Sequence, residues 1–443
     1  MFETGEEAIE WIHSRKKFGS RPGLIRIKEL LNLSGNPEKN VIGIHIAGTN
    51  GKGSTVTYLR CLLETQDIKV GTFTSPYIES FYERISINGQ AISADDFVKL
   101  ANKFRPYIEQ MDGSPSYQGI TEFEILTAMA FDYFKERVDV AIFEVGIGGL
   151  MDSTNVFTPI LTAITTIGLD HTDILGETEE AIAKQKAGII KRGVPIVTGN
   201  IASGPLQVIY QTSLRQKADL FRQGKSYQVQ YVSSDNLQGE NFHFQNEDYY
   251  FTNLRVPLLG KYQVENAAVA IQLFLLYCQQ QGRQGRFVNK KTIIKGLDHA
   301  LWPGRMERIS TTPNIIIDGA HNPHAVKQFV KTVNEEFQYG KKYILFSALT
   351  TKNIKEMLNE IQSISQAELA LTTFAYPNAL KMGSSFNHGD KQITYYPDWQ
   401  RAIQEIITKM TPADTLFITG SLYFVAQVRD FFKNKQVEQA VYS

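Results

Sequence analysis

Gly48, Thr49, Asn50, Gly51, Lys52, Gly53 and Ser54 follow directly on the apolar run 41–46. A strand that breaks into a glycine-rich turn and then a helix is suited to holding phosphate. The glycines let the backbone fold tightly with its N–H groups turned inward, and a lysine reaches the terminal phosphates. The helix opening near Ser54 adds the positive end of its dipole. The spacing departs from the common G-x-x-x-x-G-K-[ST] pattern, because only Thr49 and Asn50 separate Gly48 from Gly51, and Gly53 stands between Lys52 and Ser54. The plain alternative is a glycine-rich surface turn. The apolar strand before it, and a lysine and a serine at phosphate-reaching positions, favour nucleotide.

Other chemistry-bearing side chains stand at the ends of apolar runs. Glu144 closes the run 138–144 and precedes Gly146, Gly148 and Gly149, so a carboxylate able to hold magnesium beside phosphates meets a backbone that permits close approach. His171 follows the run 160–166, although a lone histidine is more often a hydrogen-bonded structural group. By composition Lys186, in Lys184-Gln185-Lys186-Ala187-Gly188, reads as a solvated helix lysine. Asn266 reads equally as a cap of the helix it sits on. Arg305 follows Trp302-Pro303-Gly304 as a surface arginine would, and Asp318 with His321 fits an Asx-type turn. Phe123 can stack on a flat ring, yet a Phe on an amphipathic helix is more often core.

The elements that must position these groups alternate. Strand-like runs at 41–46, 70–73, 138–144, 160–166 and 195–198 are interleaved with helical patterns from Ser54, from Asp95 and over Glu122–Phe134. That alternation predicts an α/β fold with a doubly wound, mostly parallel sheet, whose ligands collect beyond the carboxyl ends of the strands. Residues 227–259 change to period-two alternation, broken at Asp235-Asn236, Gln238-Gly239 and Asn246-Glu247, and read as a small antiparallel side sheet. A long helix from Tyr262 to Tyr277 follows, then the polar loop Gln279 to Gly285. A second, smaller Rossmann-like alternation has strands at 314–317, 343–346, 369–374 and 416–419. Two domains are expected, 1–298 and 299–443, with a hinge near 297–303.

A chain of 443 residues exceeds the ~100–200 of one domain. It carries 46 basic and 46 acidic residues and no block of like charge, which argues against nucleic acid or a membrane surface as the main partner. Cys61 and Cys278 are the only cysteines, too few for a disulfide framework, and both fall in helical runs where buried thiols are expected. The acidic start, Met1-Phe2-Glu3-Thr4-Gly5-Glu6-Glu7, lacks the apolar stretch of a signal peptide, and no apolar run reaches the ~18 residues of a membrane span. A soluble, cytoplasmic and monomeric protein is the expectation.

The G-T-N-G-K-G-S loop resembles that of the Mur ligase superfamily, ATP-dependent amide-forming enzymes. Thr72-Phe73-Thr74-Ser75-Pro76-Tyr77, Glu83-Arg84-Ile85-Ser86-Ile87-Asn88-Gly89, Glu144-Val145-Gly146-Ile147-Gly148-Gly149, Leu169-Asp170-His171, Lys186-Ala187-Gly188-Ile189-Ile190-Lys191 and Asp318-Gly319-Ala320-His321-Asn322-Pro323 are similar, in order, to segments of the folylpolyglutamate and dihydrofolate synthase family. The resemblance runs to about Val425. It implies magnesium, two ions in all, on Ser75, Glu144, His171 and Lys186, with Lys186 converted by carbon dioxide to a carbamate. The family's acidic residue before that lysine is Gln185 here. The resemblance further assigns Asn266 to adenine and gives Lys52, Lys186, Arg305 and His321 catalytic roles. Arg305 and Asp318 join residues 48–54 in holding ATP. Folate contacts are implied at Arg26, Tyr77, Arg84 and Phe123, with the stretches Arg21 to Arg26 and Thr121 to Glu124 nearby, and potassium is a further requirement of relatives.

The implied reaction is ligation of L-glutamate to the γ-carboxylate of tetrahydrofolate through an acyl phosphate. An alternative is a bifunctional enzyme that also acts on dihydropteroate. A muramoyl-peptide ligase would share the loop, but is usually built with a separate N-terminal uridine-nucleotide domain, and here the loop's strand begins by residue 41. A non-catalytic ATP switch would have no use for Glu144, His171, Lys186, Arg305 and Asp318 together.

Overall fold

The computed structural model describes residues 1–15, 23–234, 239–282, 288–381 and 393–442, with side chains up to residue 434. Arg21 and Pro22, the turn positions Asp235, Asn236 and Gln238, and Arg283, Gln284 and Gly285 lie outside the described residues. The chain divides into two compact units, one of residues 1–232, 241–256 and 263–300, the other of 233–240, 257–262 and 301–443.

The first unit is built on an eight-stranded sheet. Its strands are β1 (Gly43–Ala47), β2 (Val70–Phe73), β3 (Ile85–Ile87), β4 (Gln90–Ala91), β5 (Val140–Glu144), β6 (Leu161–Ile164), β7 (Ile196–Thr198) and β8 (Leu220–Arg222). They lie in the order β4-β3-β2-β5-β1-β6-β7-β8. From β2 to β8 every neighbouring pair is parallel, while β3 and β4 add antiparallel pairs at one edge. The central strands β1, β2, β5 and β6 are buried at every position, as a parallel sheet covered on both faces requires. The helices Ala94–Asp112 and Glu122–Phe134 start where Ser93 and Thr121 accept hydrogen bonds from Asp96 and Glu124 N–H, and Glu124 closes a capping box back onto Thr121.

β9 (Tyr227–Ser234), β10 (Glu240–Asn246) and β11 (Tyr250–Val256) form the side sheet. Phe242 and Phe244 point inward on alternate positions of β10, and Phe244 stacks on Tyr227 and Phe251. The long helix runs Lys261–Gln280, a little beyond its predicted ends.

In the second unit β12 (Glu307–Thr311), β13 (Asn314–Asp318), β14 (Lys342–Phe346), β15 (Ala367–Thr372), β16 (Thr394–Tyr396) and β17 (Thr415–Thr419) are ordered β12-β13-β17-β14-β15-β16. Only β12 runs antiparallel to its neighbour. Residues 257–262 group with this unit because Leu259 joins the apolar cluster of Val326, Phe329 and Val333, and Gly260 N–H donates to Glu240. No described helix is long and apolar enough to cross a membrane. Both cysteines are buried thiols that form no disulfide, and burial pushes the Cys61 thiol up to about 11.

Candidate active site

Four adjacent strands of the first sheet, β2, β5, β1 and β6, end side by side, about 4.8 Å from one to the next, and each delivers a predicted group. Register pairs Phe73 with Phe143, Ile46 with Glu144, and Ala47 with Ile164. Ser75 lies just past β2, Glu144 ends β5, the glycine loop follows β1 and His171 comes after β6.

The loop is stitched to the segment after β6. Thr49 N–H donates to Thr166 O (2.9 Å), and its hydroxyl exchanges hydrogen bonds with the Gly168 backbone at 3.0 Å. Thr166 Oγ1 accepts from Asn50 N–H at 3.0 Å, and Thr165 Oγ1 donates to Asn50 O at 2.6 Å. The helix begins at Lys52 rather than near Ser54, because Gly51 turns the chain with φ 83° and acts as the N-cap. A Cβ at Gly51 would strike the Asn266 side-chain amide, so the residue with the resemblance-based adenine role is packed on the loop. Asn266 Nδ2 in turn donates to Gln263 Oε1 at 3.2 Å.

Two lysines converge on one carbonyl. Lys52 Nζ donates to Gly48 O at 3.0 Å and to Thr49 O at 3.3 Å, and Lys186 Nζ donates to Gly48 O at 2.9 Å. Lys186 is 4 % exposed. Burial, reinforced by the Lys52 cation and opposed by Asp170 and Asp152, brings its ammonium down to about 7. The sequence pattern that suggested a solvated lysine therefore describes a desolvated one.

Glu144 is 4 % exposed, and its Oε2 accepts from Ser75 N–H at 3.3 Å. His171 takes a left-handed conformation (φ 50°), and its N–H donates to Asp170 Oδ1 at 2.9 Å. Among the described residues no three His, Cys, Asp or Glu side chains converge as a metal cage. Magnesium does not ask for one: it takes one or two carboxylates together with phosphate oxygens and water, and Glu144 beside the loop fits that donor set.

The sequence reading missed a buried polar group beneath these ends. His45 in β1, Thr154 and Asp152 are all fully buried and are joined in series. A histidine in the middle of an apolar strand, and the polar run Asp152-Ser153-Thr154-Asn155 after the glycines, were the available signals.

The four residues of the expected folate side gather at the start of the helix Glu122–Phe134. Arg84 lies over the rings of Tyr77 (5.2 Å) and Phe81 (5.3 Å) and pairs with Glu122 at 3.2 Å. Arg26 pairs with Glu124 at 3.1 Å. Phe123, between the two acids, packs on Phe73 at 5.5 Å and lies so close to Gly146 that a Cβ there would be 2.7 Å from its ring.

In the second unit Arg305, Asp318 and His321 meet around the end of β13. Asp318 accepts from Met306 and Ala320 N–H, both at 2.9 Å. Its burial raises the carboxyl above its ordinary value despite the nearby Arg305 guanidinium. Arg305 donates to Gly304 O at 3.1 Å, and His321 Nδ1 bonds Gly319 O at 2.8 Å.

Residues 46–274 match the Mur ligase middle domain and residues 304–422 the Mur ligase glutamate ligase domain. A dihydrofolate synthase/folylpolyglutamate synthase of Bacillus subtilis is 39 % identical over 98 % of this chain and 100 % of its own. A folylpolyglutamate synthase of Lacticaseibacillus casei is 35 % identical over 96 % and 97 %. A solved FPGS–AMPPCP–folate complex superposes with a TM-score of 0.85 at 34 % identity, covering 96 % of this chain and 99 % of that one.

Proposed function

Because the chain belongs to the Mur ligase family, in its folylpolyglutamate and dihydrofolate synthase branch, we propose that it joins L-glutamate to the γ-carboxylate of tetrahydrofolate or its polyglutamates, converting ATP to ADP and phosphate. The observation that carries this reading is the meeting, at the carboxyl ends of the central strands, of the glycine loop, Lys52, Glu144 and the desolvated Lys186. The folate γ-carboxylate attacks the γ-phosphorus of ATP to give an acyl phosphate, and the amine of glutamate then displaces phosphate through a tetrahedral intermediate. A free carboxylate is a poor acyl donor, and phosphorylation supplies the leaving group. Lys52 and Arg305 offset the charge that develops during in-line transfer.

Ser75, Glu144, His171 and carbamylated Lys186 are the proposed magnesium ligands, and bound magnesium would neutralise the terminal phosphates. A lysine brought down to about 7 offers the neutral amine that carbon dioxide captures. Labelling with ¹³C-bicarbonate tests this directly, since an unmodified Lys186 would give no carbamate signal. The remaining members of the proposed site are residues 48–54, Asn266, Asp318 and His321 for ATP and catalysis, and Arg26, Tyr77, Arg84 and Phe123 for folate. A potassium requirement and a cytoplasmic monomer complete the proposal.

A second reading is favoured by the B. subtilis relative, whose name carries both activities: this chain also joins glutamate to dihydropteroate. The deciding experiment supplies magnesium, ATP and labelled glutamate with either tetrahydrofolate or dihydropteroate. Incorporation with tetrahydrofolate alone gives a dedicated polyglutamylating ligase, and incorporation with both a bifunctional one. No incorporation with either overturns the assignment.

A further inference from the structure

The polar chain below the loop has an order to it. His45 Nε2 lies 2.8 Å from Thr154 Oγ1. Thr154 donates both its hydroxyl and, at 3.0 Å, its N–H to Asp152 Oδ1. Asp152 Oδ2 accepts from Ile147 N–H at 2.9 Å, and Gly146 N–H also bonds this carboxylate. The chain thus runs from the strand that feeds the phosphate loop to the backbone just beyond Glu144.

It also reaches Lys186. Leu150 N–H donates to Gln185 O at 2.7 Å, and a Cβ at Gly149 would lie 3.0 Å from Lys186 Cα. Asn155 Nδ2 clasps Leu150 O (3.1 Å) and Gly188 O (3.2 Å), while Lys191 Nζ donates to Asn155 Oδ1 at 2.7 Å. The turn 150–155 is therefore bonded on one side to the glycine run after Glu144 and on the other to the end of the Lys186 helix.

The His45 tautomer follows from its surroundings. The ring is fully buried, tilts against Phe157 at 5.3 Å, and its Nδ1 has no hydrogen-bond partner among the described residues. A buried N–H without an acceptor costs more than a buried bare ring nitrogen, so the hydrogen belongs on Nε2. Burial and the Lys191 charge bring this imidazole down to about 3, which keeps it neutral at working pH. Nε2–H donates to Thr154, leaving the Thr154 hydroxyl hydrogen for Asp152, so every hydrogen in the series points toward the carboxylate.

We propose that His45 is a positioning residue for the ligase reaction: as a neutral Nε2–H donor it orders Thr154 and Asp152, and through them sets the Gly146–Gly149 run and the placement of Glu144 and Lys186. The inference rests on the ATP and magnesium reading above. Partners in this outer layer commonly change metal affinity or activity by about 10–100-fold when removed.

Two measurements test it. The ¹⁵N-imidazole spectrum of the intact wild-type protein should show His45 as a neutral ring protonated at Nε2 and not titrating between about pH 5 and 9; protonation at Nδ1, or titration in that range, overturns the proposal without any variant. The second is the magnesium concentration required for half-maximal AMPPCP binding. A glutamine places its amide nitrogen near the position of Nε2, whereas asparagine is too short and leucine has no donor. His45→Leu and His45→Asn should each raise that concentration about tenfold, and His45→Gln should stay near wild type. Glutamine no better than leucine, or all three matching wild type, overturns the inference. Should His45→Leu fail to fold, Thr154→Val and Thr154→Ser make the same contrast. A wild type that does not bind AMPPCP with magnesium overturns the nucleotide reading instead, and the spectrum still decides the proton order.

Discussion

The phosphate-loop end of the first sheet and the start of the helix Glu122–Phe134 are both dense in polar groups, yet they are made of different material. At the loop, backbone carbonyls and N–H groups of one contiguous run are bonded to the segment after β6, and glycine geometry sets the shape. At the helix start, side chains from four separate stretches, around residues 13, 26, 84 and 122–124, meet in ion pairs and over aromatic rings. A site made of backbone is specified by where the chain can turn. One made of side chains is specified by which residues the fold brings together. The first should fail in nucleotide handling and the second in stability and folate-side affinity.

Lys52→Ala should separate the two most widely. Removing a preorganised charge from the terminal phosphates is expected to lower kcat by about 10²–10³-fold, while the urea midpoint stays near wild type, because among the described residues Lys52 hydrogen-bonds only carbonyls of its own loop. A variant within a few-fold of the wild-type rate would break the assignment of this end. Arg26→Ala should do the reverse. Its partner Glu124 has only 2 % of its side chain exposed, and among the described residues Oε1 has no hydrogen bond and Oε2 is otherwise bonded by Thr121 alone, so losing the guanidinium leaves a poorly compensated buried carboxylate. A loss of about 3 kcal/mol by urea denaturation is expected, with AMPPCP affinity unchanged; weaker AMPPCP binding would mean that the two ends are coupled.

Gly51→Ala sharpens the claim about backbone. At φ 83° an alanine costs about 1–2 kcal/mol, and its Cβ would press on Asn266. The KM for ATP should rise about tenfold or more and that for folate should hold. Equal rises in both would argue that the loop does not act as a separate nucleotide site.

The same contrast governs what could be read from the sequence. The loop, Glu144 and the alternation of strands were legible because each is a local pattern: a glycine spacing, an acid at the end of an apolar run, a change of period at residue 227. The pair Arg26–Glu124 spans 98 positions, and no local pattern announces it. β3 and β4 were not among the expected strands, because they are too short to show a period; they pair where Asn88 and Gly89 turn the chain back with φ 51° and 73°. His45 looked like an interruption of an apolar strand, and its polar partner lies 109 residues on. The burial of Lys186 was the least legible. Lys184 and Gln185 beside it signal solvent, and the desolvation arises from the glycine run after Glu144 packing against the helix end.

That burial carries the effect most specific to the loop end, one that is close to zero at pH 7 and grows only as the pH rises. In the unfolded chain Lys186 keeps its proton up to its ordinary 10.5, and in the folded protein only up to about 7. Between those values the unfolded chain binds more protons, so Lys186 adds stability as pH rises through the window. Below about 7 both states carry the proton, and the full cost of the buried charge remains. Lys186→Met removes the titration, so the wild-type stability minus that of the variant should climb from pH 7 toward 10, by at most about 1.4 kcal/mol per pH unit. Urea denaturation of both proteins across that range measures it, in buffers stripped of carbon dioxide so that no carbamate forms, with Arg26→Ala as the comparison from the other end. A level or falling difference would show that Lys186 is solvated after all, and the contrast between a desolvated backbone-built end and a side-chain-built one would lose its electrostatic half.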